Sequence, residues 1–406
     1  MEPALPERRV LTSLMAGLLV TGDPNEGSIY PFFLDLELIV KGSDEVMHRT
    51  VDRQVAGGCI RPSTLVAALA MTRPAPNRLL RGVQLGIGGL ILEPLAWMQS
   101  LIWGRALQRN DLSDDPVIVI GHWRSGTTYL HQLLAADPLA ATARNALTVA
   151  PQVALLLKPL IISVLNHLMT QTRPIDAVPW SALDPQEDEI GLARLTIDTH
   201  MAGVAFPQDY LQHFHRCALS TNRRFQRQFI HFIRLTWAHD GDGKRHLLIK
   251  NPAHTARVPL LLDLFPKARF VFLKREPADA IRSLTLVKQK LADLIGLQPA
   301  PDQRRQVEET AMAHRLLLEA FEASKPQIPA GQLVEVDYAD LVSSPLATVE
   351  RIYRELSIEG WDQARAPIQS RVEKARAYRA SPVLLQPEAE RRLQELIAPA
   401  NASTTN

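Results

Sequence analysis

Four short apolar runs in the middle of the chain, each leading into a helical pattern, constrain the fold more than any other feature. Each run is four to six residues long. Repeated alternation of such runs with helical patterns is typical of parallel strands joined by crossover helices. The pattern predicts an α/β fold, a three-layer P-loop-like core in which a central, mostly parallel sheet is flanked by helices. The predicted strands are 116–120 (PVIVI), 246–250 (HLLIK), 269–274 (RFVFLK) and 333–336 (LVEV).

The same pattern divides the chain into three parts. The α/β core is predicted to span 113–360, with a helical insertion at about 140–240 between the first two predicted strands. A helical segment, 1–112, precedes this core, and a helical tail, 361–406, follows it.

The loop after the first predicted strand, GHWRSGTT (121–128), is the strongest candidate for a binding site. In a strand–loop–helix unit the loop amides and the helix N-terminus point at one spot and bind an anion there. Arg124 supplies a cation, and His122 is expected to shape the loop rather than to take part in chemistry. The loop therefore predicts a phosphate site. Its candidate residues are Arg124, Ser125, Gly126, Thr127, Thr128 and Tyr129.

This loop differs from that of the nucleotide triphosphatases. Gly121 and Gly126 have the triphosphatase spacing, but the lysine that such a loop requires next is replaced by Thr127. Asp337, which follows the last predicted strand, is the one candidate for a Mg²⁺-holding acid. Because of Asp337, a kinase-like enzyme using Mg-ATP remains an alternative. A degenerate, non-catalytic nucleotide-binding protein is a further alternative. An arginine and hydroxyls without obvious metal ligands suit a donor with one short anionic bridge, used without a metal ion.

Two motifs in this order resemble the sulfotransferase family, in its bacterial and carbohydrate-type branch. GHWRSGTTYLHQLLAADP is similar to the family's 5′-phosphosulfate loop, and FVFLKREPADAIRSL carries Arg275 at a strand end with Ser283 eight residues later. The resemblance implies that Arg275 and Ser283 bind the 3′-phosphate of 3′-phosphoadenosine 5′-phosphosulfate (PAPS). An arginine fork and a hydroxyl suit a terminal phosphate on general grounds as well. The similarity covers roughly residues 116–356.

The resemblance also implies the chemistry and its candidate groups. The reaction would be in-line transfer of a sulfuryl group to a hydroxyl or amine, with Arg124 at the leaving phosphate and Lys250 at the sulfuryl group or bridging oxygen. An acceptor hydroxyl also needs a base within hydrogen-bond reach. His254 is the preferred candidate. Glu187, in the acidic run DPQEDEIGL, is the alternative.

Near the C-terminus, a basic stretch at 370–382 matches the place where the family covers the 3′-phosphate, although an exposed basic helix is equally compatible with it. The candidates there are Lys374, Arg376 and Arg379.

Composition limits the partners. A formal net charge of +2 gives no reason to expect nucleic-acid binding. The N-terminus is a poor secretory signal, so a cytoplasmic protein is expected. The acceptor remains open between a small molecule, a lipid and a carbohydrate, and the sequence does not indicate an oligomeric state.

Two apolar stretches bear on a lipid acceptor and on membrane association. Residues 82–104 predict a buried or interfacial helix pair broken at Pro94, and 153–169 is interrupted at Lys158-Pro159. Core helices are the preferred interpretation of both stretches. The alternative is an apolar face that handles an apolar substrate or contacts a membrane.

Overall fold

The computed structural model describes residues 53, 57–109, 112–169, 180–375 and 384–398. Within this part of the chain the centre is a single sheet of five parallel strands in the order β2-β3-β1-β4-β5. The strands are β1 (Val117–Gly121), β2 (Ala140–Ala141), β3 (His246–Lys250), β4 (Arg269–Lys274) and β5 (Leu333–Asp337). The fold class expected from the sequence is confirmed.

Side chains alternate between the two faces of this sheet, and each face has its own core. Ile118, Ile120 and Phe270 point into one cluster, which the phenylalanines of the long insertion helix complete. Val119 and Val271 point into the other cluster, on the opposite face. This period of two, with both faces covered, is why each strand is almost continuously apolar.

Sixteen α-helices surround the sheet in the described residues. The first eight are α1 (Pro62–Met71), α2 (Leu79–Arg109), α3 (Thr127–Leu134), α4 (Asn145–Thr148), α5 (Lys158–Leu168), α6 (Asp188–Leu195), α7 (Met201–Ala205) and α8 (Tyr210–Phe214). The others are α9 (Arg223–Asp240), α10 (Val258–Leu264), α11 (Pro277–Leu294), α12 (Gln303–Ser324), α13 (Tyr338–Ser343), α14 (Pro345–Glu355), α15 (Trp361–Ala375) and α16 (Pro387–Ile397).

The insertion between β1 and β3 is not purely helical. It contains β2, two alanines that pair with His246 and Leu247 at the edge of the sheet. A strand of two small residues has no periodicity that a sequence pattern could reveal. In the described part of the insertion the other main elements are the helices α4 to α9, as expected, and α9 buries Phe225 and Phe229 against the sheet.

The segment 82–104 does not form a helix pair. It lies within one helix, α2, which continues through Pro94. Pro94 and Leu90 are exposed, so the carbonyl that loses its helical hydrogen bond at the proline is solvated. The core-helix interpretation also fails for much of α2, because its large apolar side chains are mostly exposed.

The second apolar stretch behaves similarly. Helix α5 begins at Lys158 with Pro159 in its first turn, a favoured place for proline. Leu165 is buried, whereas Leu160 and Val164 are exposed. The tail helices pack onto the core: α15 lies against α3, and α16 against α11 and α12. The boundaries at 112 and 360 stay predictions.

Candidate active site

The loop between β1 and α3 has a backbone that only particular residues tolerate. Gly121 and Gly126 have φ of 137° and 98°, and Arg124 lies in the left-handed region at 68°. A Cβ atom on Gly126 would lie 2.5 Å from the Tyr338 ring, and one on Gly121 would lie 2.6 Å from the Leu273 carbonyl oxygen. The glycines are therefore needed for a tight turn packed against β4 and α13.

Hydrogen bonds hold this loop in one shape. The Ser125 hydroxyl donates to the His122 carbonyl oxygen over 2.7 Å. The Thr255 hydroxyl accepts from the Gly121 amide at 2.8 Å and donates to the Gly121 carbonyl oxygen at 3.0 Å. The hydroxyl of Ser125 is thus used inside the loop, whereas the sequence predicted it as a donor to phosphate.

The N-terminus of α3 lies at the end of this loop. The first helical hydrogen bond runs from the Leu130 amide to the Gly126 carbonyl oxygen, over 3.1 Å. The amides of Thr127, Thr128 and Tyr129 precede it, so they have no acceptor within the helix. Gly126 provides no side-chain cap. Three amides at a helix N-terminus favour an anion.

The predicted phosphate ligands from the two motifs converge, although they are about 150 residues apart in sequence. The Arg124 Nε donates to the Ser283 hydroxyl over 3.0 Å. The Arg275 guanidinium donates to the Arg124 carbonyl oxygen over 2.8 Å and lies 4.4 Å above the Tyr338 ring. This convergence follows from β1 pairing directly with β4, which aligns the carboxyl ends of both strands.

A phosphate group fits these residues. The Arg275 Nε is buried and has no hydrogen-bond partner, and a buried guanidinium N–H without an acceptor is costly. Ser283 is largely buried beside it on α11. Together with the α3 amides, these groups make an anion-binding surface of N–H and O–H donors, which is the requirement of a bisphosphorylated nucleotide.

Lys250, the last residue of β3, is nearly buried at the same edge of the sheet. Its ammonium donates to the Glu187 Oε1 over 2.5 Å. Lys250 pairs in register with Val119 of β1, two residues before the loop begins. Glu187 lies just before α6, and its side chain is 18% exposed against 2% for Lys250. This ion pair is thus open to solvent on the glutamate side.

The other predicted base, His254, is enclosed. Its side chain has no exposed surface, and its Nε2 lies 2.8 Å from the Asp188 Oδ2. Its Nδ1 lies 3.3 Å from an Arg257 nitrogen, and the Phe229 ring packs edge-on against it. An acceptor hydroxyl has no access to either ring nitrogen in this arrangement.

Glu189 completes the acidic run with a structural network. It accepts from Asn251 at 2.5 Å, from Arg257 at 3.1 Å and from the His200 amide at 2.6 Å. Burial alone would raise the pKa of Glu189, yet Arg257 and His200 hold it well below its usual range. Each of the three consecutive acids, Glu187 to Glu189, therefore has its own cation or imidazole.

His122 is a neutral structural residue of the loop. Burial, reinforced by His314, holds the pKa of His122 well below its usual range. Its Nδ1 donates to the Trp123 carbonyl oxygen over 2.7 Å. The His314 ring lies 4.5 Å away. These contacts agree with the role expected for His122, which is to shape the loop.

Two of the remaining candidates, Asp337 and Lys374, lie within the described residues. Asp337 is exposed at the end of the edge strand β5, separated from β1 by β4. Lys374 is exposed near the end of α15, whereas Arg376 and Arg379 lie outside the described residues. Among the residues that the structure describes, no group of three or more His, Cys, Asp or Glu is arranged to hold a metal ion.

The sequence did not indicate several residues that build the site. Asp188, Asn251 and Arg257 fix the acidic run to β3, and Thr255 and Tyr338 support the loop. The only signal in the sequence that could have identified Asn251, Thr255 and Arg257 was their position within seven residues of Lys250. Asp188 was visible only as one of three adjacent acids.

A small apolar cavity of about 80 Å³ lies beside the segment that follows α6. Leu65 of α1, Leu85 of α2, Phe206 and Leu297 contribute to its wall. Thr199, the neighbour of His200, lines it as well. Because His200 binds Glu189 and packs 4.4 Å from Trp123, the cavity borders the same framework that holds the loop and the acidic run.

The fold and the converging anion-binding residues are compatible with a group-transfer enzyme, and sequence comparison identifies the family. A family model described as the sulfotransferase family matches residues 116–363, more than half of the chain. The chain belongs to this family and is a sulfotransferase, as the two motifs predicted.

Among characterised relatives, the chain is 25% identical over 270 residues to the omega-hydroxy-beta-dihydromenaquinone-9 sulfotransferase Stf3 of Mycobacterium bovis and to that of Mycobacterium tuberculosis. The match covers 65% of this chain and 68% of each relative.

Two crystal structures share the fold. Sulfotransferase STF9 from Mycobacterium avium has 16% identity and a TM-score of 0.60, covering 91% of this chain and 97% of that one. Sulfotransferase STF1 from Mycobacterium tuberculosis has 18% identity and a TM-score of 0.58, covering 88% and 98%.

Proposed function

We propose that this sulfotransferase moves a sulfuryl group from PAPS to the hydroxyl of an apolar, lipid-like alcohol. The observation that carries the proposal is the convergence of Arg124, Arg275 and Ser283 beside the amides of α3. Two anion sites joined by one arginine side chain suit a nucleotide with phosphate groups at two separate positions, such as PAPS.

The residues divide the binding of this donor between them. The amides of Thr127, Thr128 and Tyr129 would bind the 5′-phosphate at the helix N-terminus. Arg275 and Ser283 would bind the 3′-phosphate, and Arg124, hydrogen-bonded to Ser283, would lie between the two groups. The donor supplies an activated sulfuryl group. The protein supplies fixed cations and N–H groups where negative charge develops on transfer.

We assign the base to Glu187 in preference to His254. Glu187 is partly open to solvent and adjoins Lys250, so the two members of one ion pair can act on the acceptor hydroxyl and on the sulfuryl group. The carboxylate would take the proton of the acceptor hydroxyl, and the ammonium released from it would stabilise charge on the sulfuryl oxygens. His254, bound by Asp188 and Arg257, would instead hold the acidic run in position as a positioning residue.

The apolar cavity supports a lipid-like acceptor. Its wall is mostly apolar, with Arg194 and three threonines among leucine, isoleucine, alanine and phenylalanine side chains. Such a wall suits an isoprenoid or acyl chain better than a sugar, which needs a hydrogen-bond partner for each of its hydroxyl groups. The relatives named as omega-hydroxy-beta-dihydromenaquinone-9 sulfotransferases also favour a lipid-like acceptor for this chain. A cavity of about 80 Å³ accommodates a few carbon atoms of such a chain, and bound lipid would widen it.

Calorimetry with 3′-phosphoadenosine 5′-phosphate, in EDTA, tests the donor assignment. We expect metal-independent binding that weakens about 10- to 100-fold in Arg275→Ala, since a hydrogen bond to a charged group contributes about 1.5–3 kcal/mol. Lys274→Ala is the matched control, because the adjacent Lys274 pairs with Glu335 instead. Binding of ATP alone, and only with Mg²⁺, would contradict the proposal and favour a phosphoryl-transfer enzyme.

A further inference from the structure

Helix α2 places most of its large apolar side chains on its exposed side, the reverse of an ordinary surface helix. Its inner side carries glycines that closely approach α1 and the residues just before it. A Cβ atom on Gly89 would lie 1.7 Å from the Ile60 carbonyl oxygen, and one on Gly86 would lie 2.4 Å from the Leu65 side chain of α1. The large apolar residues are on the opposite side. A soluble surface helix places such residues inward.

We define the outer face of α2 as the exposed apolar residues that recur every three or four positions along it. Leu101 is 84% exposed and Leu80 is 70% exposed. From Leu80 to Leu101 the face extends roughly 32 Å at 1.5 Å per residue. The face consists of Leu80, Val83, Ile87, Leu90, Trp97 and Leu101.

No exposed residue between Leu79 and Gly104 is charged. Glu93, the one acid of the helix, is half-buried and pairs with Arg61 while accepting from the Trp97 indole. Helix α5 extends the apolar surface: its Ile161 packs against the same buried cluster as Leu92 and Leu95 of α2, and its Leu160 is exposed. An uncharged apolar surface of this length marks an interaction site.

We propose that the outer face of α2 docks onto an anionic lipid bilayer. Basic residues border the face at both ends, Arg73 and Arg78 before it and Arg105 and Arg109 after it. This arrangement suits acidic headgroups. Trp97, an aromatic residue of the kind enriched at membrane interfaces, is 65% exposed towards the C-terminal end of the face.

The helix would lie in the plane of the interface. By length and composition Pro76–Arg109 qualifies, among the described residues, as the one helix that could cross a membrane. Its glycine side, however, is packed against α1, and Gln99 is buried in hydrogen bonds with the backbone near Pro151. Crossing the bilayer would break these contacts, whereas lying on it preserves them.

Charge disfavours a second copy of the chain as the occupant. A two-fold pairing of outer faces brings either equivalent or opposite ends of the two helices together. Because both ends are basic, arginines would meet arginines in either orientation. Acidic lipid headgroups complement the same ends.

Docking here would bring the enzyme to an apolar acceptor dissolved in the membrane. Leu85, on the inner side of α2, lines the cavity proposed for the acceptor. When α2 is docked, the distance between the bilayer surface and that cavity would therefore be one helix diameter. This link rests on the proposed function. The docking itself does not, and it is measured without donor or acceptor.

Vesicle flotation of the full chain tests the docking. We expect binding to phosphatidylcholine vesicles that contain phosphatidylglycerol, weaker binding without it, and a decrease with added salt. The double variant Leu90→Gln/Leu101→Gln should lower the partition coefficient about tenfold or more, because two exposed leucines lose their burial in lipid. Val342→Gln, an exposed apolar residue on α13, is the matched control and should bind like the wild type.

Three outcomes would overturn the proposal: no flotation of the wild type, equal flotation of the double variant, or a wild-type dimer that the double variant dissociates in light scattering. The thermal midpoint of the double variant should be unchanged, since both side chains are exposed. A blue shift of tryptophan emission on vesicle addition, absent in Trp97→Phe, is a second readout that reports insertion directly.

Discussion

The Lys250 ammonium and the Glu187 carboxylate lie 2.5 Å apart, with the lysine buried at the end of β3 and the glutamate partly open to solvent. Glu187, Asp188 and Glu189 each bind a different side chain of the 250–257 segment, in the order Lys250, His254 and Arg257. Glu187 therefore lies beside Lys250, the residue predicted to contact the sulfuryl group, while Asp188 and Glu189 fix the position of the acidic run.

Glu187→Gln is expected to lower kcat about 10²- to 10⁴-fold, the usual contribution of a general base. Glutamine keeps the shape and can still bind near Lys250, so the affinity for donor should change little. The measurement is kcat at saturating donor and acceptor, beside the donor affinity by calorimetry.

His254→Gln provides the comparison. It removes the partner of Asp188 in a fully buried site, so the free energy of unfolding should fall by about 1–3 kcal/mol, while kcat falls by less than about tenfold. If kcat fell about 10²-fold or more in His254→Gln and stayed near the wild-type value in Glu187→Gln, the base would be His254.

Gly126→Ala should weaken donor binding about tenfold or more. The new methyl group meets the Tyr338 ring, which supports Arg275, so both anion sites would be displaced. The φ of 98° adds backbone strain of about 1 kcal/mol. Calorimetry with 3′-phosphoadenosine 5′-phosphate measures the loss.

Gly331→Ala is the matched control, because Gly331 also has a positive φ, of 80°, but open space around its Cβ position. It carries the backbone strain without the collision and should leave donor affinity unchanged. Equal losses in the two variants would mean that general destabilisation, not the loop, explains the effect.

The sheet and the loop were predictable because their signals are local. Strands β1, β3, β4 and β5 each form an apolar run, and Arg124 and Ser283 belong to motifs at adjacent strand ends. Strand β2 has no such signal, since Ala140 and Ala141 are defined as a strand only by pairing with β3.

The choice between His254 and Glu187 as the base depends on accessibility, which the sequence does not give. Both candidates were recognised, but accessibility depends on how the insertion folds back so that Asp188 reaches His254. Similarly, periodicity alone could not show which side of α2 faces outward. Apolar residues recur along that helix, and only the close approach at Gly86 and Gly89 determines that the smaller residues face inward.

Stability should fall as the pH drops from 7 to 5, because buried histidines stay neutral in the folded state. Burial, reinforced by Lys158, lowers the pKa of His239 to about 4. The unfolded chain binds a proton there below about 6.5, so the stabilisation is complete above that pH and is lost as the pH falls towards 4. Between pH 7 and 5 this one residue accounts for roughly 2 kcal/mol.

Urea unfolding at pH 7 and pH 5 measures this dependence. His239→Gln should reduce the loss between the two pH values by about 2 kcal/mol, whereas His215→Gln, on an exposed residue, should not change it. A His239→Gln variant with the full wild-type loss would show that other groups govern the pH dependence.

Ala202→Leu is expected to impair apolar acceptors selectively. Ala202 lines the apolar cavity, so a larger side chain occupies space that an acyl or isoprenoid chain would take, without forcing apart a filled core. We expect KM for a long-chain alcohol to rise about tenfold, the value of one or two lost methylene contacts, with donor affinity unchanged. A short water-soluble alcohol serves as the internal control and should react as with the wild type.

If both acceptors lost activity equally, the cavity would be structural and the acceptor would bind elsewhere. If neither changed, the lipid-like acceptor would lose its main structural support.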